Sequence, residues 1–150
     1  MFERDRHAEL EYYSETPPIQ NTFGTGFNIG LDLATSYEVH VPGMEYVEVD
    51  FGVVLQPPPG YWLMMVARSS TFKKWGVILT NGVGVIDPAY CGPKDTVRGL
   101  FYNPNPEDTT IPAGTRLVQI ICIPVKLAIV VHNPKNPDGP NRGGVGSTGD

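Results

Sequence analysis

Glu45-Tyr46-Val47-Glu48-Val49-Asp50-Phe51 alternates: Val47, Val49 and Phe51 fall on one side, Tyr46, Glu48 and Asp50 on the other. A period of two marks a β-strand with one face on a core and one toward solvent. Pro57-Pro58-Pro59-Gly60 must then be a turn, because consecutive prolines give a ladder no donors, and Tyr61 to Val66 resumes as an apolar run suited to a buried strand. Working outward, further strands are expected at Val77 to Leu79, Val83 to Ile86, Thr96 to Tyr102, Leu117 to Ile123 and Leu127 to Val131, with an edge strand at Leu10 to Tyr13. Asn81-Gly82, between two apolar runs, predicts a β-hairpin over Val77 to Ile86. Only Ser70 to Trp75 reads as a helix of one or two turns, with Ser69 or Ser70 as N-cap and Gly76 as C-cap. The fold class is all-β, a sandwich or barrel.

Composition agrees. With 17 glycines and 15 prolines in 150 residues a helix bundle is excluded, while 41% hydrophobic content supports one packed domain. The formal charge of -5 offers no global attraction to a phosphate backbone, so nucleic acid is not an expected partner and any phosphate chemistry must rest on local cations. No apolar run reaches the roughly 18 residues of a membrane span, and the charged start is unlike a signal peptide, so a cytoplasmic or otherwise intracellular protein without a membrane partner is expected. Cys91 and Cys122 form no CxxC or Cys/His cluster and read as reduced thiols. From His132 to Asp150 the chain is Asn, Pro, Gly and Asp with few apolar residues, a flexible Gly-rich tail beyond a single domain of residues 1–131, whose N-terminal segment is polar.

Three stretches carry the densest chemistry. Arg68-Ser69-Ser70 follows an apolar strand and opens the short helix, which suits either an anion site or a serine cap beside a solvated arginine. In Gly84-Val85-Ile86-Asp87-Pro88-Ala89-Tyr90-Cys91-Gly92, Asp87 ends a strand and Tyr90 follows, a carboxylate able to orient water and a ring able to pack on a sugar, or an Asp-Pro turn with a core tyrosine. Asp32, in Gly30-Leu31-Asp32-Leu33-Ala34, reads equally as a turn carboxylate or as part of a metal shell, and Gln119 is one amide on an apolar strand. Arg142 to Gly149 has the composition of a phosphate-cradling loop without the P-loop ending. His7, His40 and His132 have no partners at catalytic or metal spacing.

Taken in order, these motifs resemble the trimeric all-β dUTP diphosphatase (dUTPase) family, related to dCTP deaminase. Gly30 to Ala34 is similar to the first family motif, Arg68-Ser69-Ser70 to the second, Gly84 to Gly92 to the third, Gly114 to Gln119 to the fourth and Arg142 to Gly149 to the fifth. The resemblance implies a distorted jelly-roll subunit, a homotrimer with shared active sites, and hydrolysis of dUTP to dUMP and pyrophosphate with Mg2+ as cofactor. It implies Asp87 as the residue orienting water toward the α-phosphate, and Asp32 as the holder of Mg2+ through water. Arg68, Ser69, Ser70 and Gln119 would bind phosphates. Asn81 with the backbone around Val85 and Ile86 would read uracil, and Tyr90 would pack on the deoxyribose and exclude a 2′-hydroxyl. Arg142, Val145, Gly146 and Ser147 would belong to a C-terminal lid over residues 132–150.

The chain departs from the family pattern in three places. Val145 stands where an aromatic ring is common, Arg142 lies closer to the glycine pair than is usual, and Pro93-Lys94-Asp95 follows Gly92 where an acidic residue and a shorter connection are usual. Two other readings compete. A dCTP deaminase or bifunctional deaminase-diphosphatase shares Arg68-Ser69-Ser70 and Phe101-Tyr102-Asn103, but its glutamate is here Leu100, which leaves proton transfer to ammonia without an agent. A non-catalytic, nucleotide-gated regulator would bind dUTP without releasing pyrophosphate.

Overall fold

The computed structural model describes residues 10–14, 30–126, 128, 130–132, 134 and 139. Among these residues eleven strands and one helix follow in order: β1 (Glu11–Tyr13), β2 (Gly30–Ala34), β3 (Val39–Val41), β4 (Tyr46–Asp50), β5 (Val54–Gln56), β6 (Tyr61–Ala67), α1 (Thr71–Trp75), β7 (Ile78–Leu79), β8 (Val83–Ile86), β9 (Arg98–Tyr102), β10 (Thr109–Ile111) and β11 (Arg116–Pro124). All-β is therefore the fold class. The strands pair as a four-stranded sheet β2-β11-β6-β8, a three-stranded sheet β4-β9-β7, and the pairs β1-β5 and β3-β10. Every pairing is antiparallel.

Period-2 patterning sends one face of each layer inward. Leu31, Leu33, Val49, Leu55, Leu63, Met65, Leu79, Ile86, Phe101, Ile111, Leu117 and Ile120 meet in one core, to which every strand except β1 contributes a buried residue. Phe51 and Phe101 sit edge to face at its centre, ring centroids 6.5 Å apart. The Pro57 to Gly60 turn forms as expected: Gly60 takes φ 81° and the Tyr61 N–H donates to the Pro58 carbonyl at 3.1 Å.

Three expectations need correction. Val77 to Ile86 is not a hairpin, since β7 pairs with β9 and β8 with β6, in different sheets. Of Asn81 and Gly82 only Gly82 has positive φ, 64°, whereas a two-residue hairpin turn of the Asn-Gly type needs both, so the turn passes the chain from one sheet to the other. Ser70 occupies the N-cap position of α1 in helical conformation, and its hydroxyl caps nothing; Gly76 does end the helix, at φ 68°, with its N–H on the Phe72 carbonyl. The expected strand at Leu127 to Val131 is missing at the described Ala128, Val130 and Val131. Among the described residues no helix is long and apolar enough to cross a membrane.

Candidate functional site

Asp32 lies mid-strand in β2, opposite Gln119 of β11, which is in turn opposite Val66 of β6. These three strands are adjacent, so Asp32, Gln119 and the Arg68 turn beyond β6 come together on the outer face of one sheet. Asp32 Oδ2 accepts from Arg68 Nε at 3.0 Å and from Arg116 Nη1 at 3.2 Å. Two guanidiniums against one carboxylate leave a local surplus of positive charge on an acidic protein, the condition for holding an anion.

Arg116 was not anticipated. Strict alternation puts it on the face opposite Gln119, three residues on, but the β2-β11 register slips between Arg116 and Val118. This bulge at Leu117 changes the parity of the strand and turns Arg116 to the same side as Asp32 and Gln119. The sequence signal was the consecutive apolar pair Leu117-Val118, both fully buried. The bulge also frees the Leu117 carbonyl to accept the Arg68 N–H at 3.0 Å and the Thr71 hydroxyl at 2.6 Å. The Arg68-Ser69-Ser70 turn is thereby fastened to β11, with Ser69 exposed and Ser70 half-buried. Gly30 leaves room for the Gln119 amide, since a Cβ there would stand 2.6 Å from Gln119 Oε1.

Asp87 and Tyr90 lie elsewhere. Asp87 follows β8 and is exposed, and it closes a turn in which the Tyr90 N–H donates to the Asp87 carbonyl at 3.0 Å. Ile86 is paired with Leu63, five residues before Arg68, which separates the Asp87 end of β8 from Arg68 by roughly 17 Å of strand. One copy of the chain thus does not bring Asp87 to the Asp32-Arg68-Arg116 cluster. Among the described residues β8 is the last strand of its sheet, and none of them pairs with its outer edge. The side chains of β8 diverge: Val85 is 65% exposed, whereas Ile86 is buried in the core and has only its backbone to offer a ligand. Asn81 borders a cavity of about 150 Å³ with Thr80, Gly99 and Leu100. Arg142, Val145, Gly146 and Ser147 fall outside the described residues, as does most of the expected 132–150 lid.

Both cysteines are free, and burial pushes the Cys122 thiol up. No three His, Cys, Asp or Glu side chains among the described residues converge as a metal cage.

The dUTPase family profile matches residues 19–149. The chain belongs to the dUTPase family. It is 35% identical to the SPbeta prophage-derived deoxyuridine 5'-triphosphate nucleotidohydrolase of Bacillus subtilis (strain 168), over 94% of this chain and 96% of that protein. The crystal structure of a dUTPase from Streptococcus mutans aligns with TM-score 0.72 and 26% identity, covering 81% of this chain and 98% of the other. A Staphylococcus bacteriophage 80alpha dUTPase with dUPNHPP aligns with TM-score 0.77, over 94% of this chain and 98% of the other, at 17% identity, a likeness of fold alone. The dUTPase fold explains why the strands switch sheets: they form a jelly-roll-like barrel rather than a stack of hairpins.

Proposed function

We propose that this chain hydrolyses dUTP to dUMP and pyrophosphate. One observation carries the reading: in a chain of the dUTPase family, the bulge at Leu117 gathers Arg68, Arg116, Asp32 and Gln119 into a cationic, hydrogen-bonding patch on one sheet face. Such a patch fits a triphosphate, whose leaving pyrophosphate must shed charge in the transition state. Ser69 and Ser70, their hydroxyls unused by the helix cap, stand beside it as further donors.

Mg2+ fits this donor set as an ion carried on the triphosphate, because among the described residues no three His, Cys, Asp or Glu side chains form a cage for it. Both guanidiniums contact Asp32 Oδ2, which leaves Oδ1 to accept from water in the ion's shell. Bound there, Mg2+ would neutralise phosphate charge. Asp87 is the water-orienting carboxylate of the reading, exposed at the end of β8 where a nucleotide can reach it.

The separation of Asp87 from Arg68 supports a site shared between copies, and the resemblance to the trimeric dUTPases makes the proposed assembly a homotrimer. The same sheet face that ends in Asp32 and Gln119 carries Val83, Val85, Met64, Val66, Ile121 and Trp62, an apolar surface suited to a second copy. Val83 and Val85 are 44% and 65% exposed in the single chain. The closing of residues 132–150 over the nucleotide, through Arg142, Val145, Gly146 and Ser147, completes the proposal as a lid.

Deamination of dCTP has less support. Leu100 replaces the acid that reaction uses, and Glu48, its cross-strand neighbour, is held by Arg98 Nη1 at 3.2 Å. The deciding experiment measures pyrophosphate and ammonia released from dUTP and dCTP, with and without Mg2+. Pyrophosphate from dUTP supports the proposal; ammonia from dCTP moves the chain to the deaminase branch, and binding without either product makes it a regulator.

A further inference from the structure

Tyr90 is 40% exposed, so packing alone does not hold its ring. Its hydroxyl instead donates to the Thr96 carbonyl at 3.0 Å. Thr96 is held in turn: its own hydroxyl donates to Asp50 Oδ2 at 2.9 Å and accepts from Arg98 Nε at 3.2 Å. Asp50 Oδ1 accepts the Gly52 N–H at 2.8 Å, and Asp50 and Arg98 face each other across the β4-β9 ladder, so the anchor belongs to a sheet. On another side, Cys91, Pro93 and Thr96 border a cavity of about 590 Å³ with Tyr13, Val54 and Gln56. That open side leaves hydrogen bonds, not close packing, to define where Thr96 sits. The loop between Tyr90 and Thr96 is the chain's own Pro93-Lys94-Asp95 variation, closed by the Gly92 N–H on Asp95 Oδ2 at 2.8 Å.

The geometry points to Asp50 and Thr96 as positioning residues for Tyr90, which set the preference for a 2′-deoxyribonucleotide over a ribonucleotide. This rests on the proposed reading in which Tyr90 packs on the sugar. A ring fixed by its hydroxyl leaves no space for an added 2′-oxygen; a ring released at that end tilts and admits it.

The test compares binding of non-hydrolysable imido analogues of dUTP and UTP by calorimetry, for the wild type and for Thr96→Val, Thr96→Ser, Asp50→Asn, Tyr90→Phe and the Asp50→Asn/Tyr90→Phe pair. The deoxy preference falls about three- to tenfold in Thr96→Val and Asp50→Asn, the worth of one net hydrogen bond. Thr96→Ser, which keeps the hydroxyl, retains the preference. Tyr90→Phe removes what Asp50 acts through, so the double variant loses no more than the larger single loss. An unchanged preference with only a lower Tm, or losses that add in full, overturns the proposal, as does a wild type without a deoxy preference. Pyrophosphate release from dUTP is measured separately: its absence beside an intact deoxy preference sinks the hydrolytic reading and leaves this one standing.

Discussion

Asp87 offers a carboxylate at a strand end, and its replacement is the most direct probe of the chemistry. Asp87→Asn keeps the shape of the turn but cannot take a proton, so kcat for dUTP falls by about 10²–10⁴, measured by pyrophosphate release, with little change in Tm. Gly30 acts through its missing side chain. Gly30→Ala puts a methyl 2.6 Å from Gln119 Oε1 and swings the amide away, so KM for dUTP rises about three- to tenfold while the fold survives, the far end of a flexible side chain being what moves. Residue types raised Asp32, Arg68, Asp87 and Gln119 as candidates beside equally plain structural readings, and their order as motifs resembling the dUTPase family gave them their expected roles. Arg116 was hidden because its facing depends on a register slip and not on its own identity.

At the scale of elements, the link between the α1 turn and β11 fastens the Arg68 side of the site. Thr71 is buried, and its hydroxyl shares the Leu117 carbonyl with the Arg68 N–H. Thr71→Val keeps the shape and removes that bond, at a cost of about 1–2 kcal/mol in denaturant unfolding. Gly76→Ala strains a residue at φ 68° and sets a Cβ 2.7 Å from Asn105 Nδ2, costing about 1 kcal/mol or more by the same measurement. Strand positions followed from alternation in β4 and from the apolar run of β6, since side-chain period is a local property. The Asn81-Gly82 hairpin failed for the complementary reason. A turn propensity reports that the chain reverses locally and says nothing of whether the flanking strands pair with each other or with β6 and β9.

For the whole molecule, the distance between Asp87 and the arginine cluster predicts complementation. Asp87→Asn and Arg68→Gln chains, each inactive alone, recover about a quarter of wild-type activity when mixed one to one, unfolded and refolded together, because shared sites then draw one intact residue from each copy. Absence of recovery confines the site to one chain. Val85→Glu, with a charge on the outer face of β8, lowers the assembly state in sedimentation and the activity with it. An assembly that survives the charge removes that face from the interface. Composition and pattern were enough to establish an all-β single chain without a helix bundle, and the ordered motifs were enough to point to the dUTPase family, because alternation, turn chemistry and motif order are written along the backbone. Which strands are neighbours, the bulge that turns Arg116 onto Asp32, and the separation of Asp87 from both were decided only in the folded chain. Each depends on pairings between residues far apart in sequence, where one residue of register exchanges the two faces of a strand.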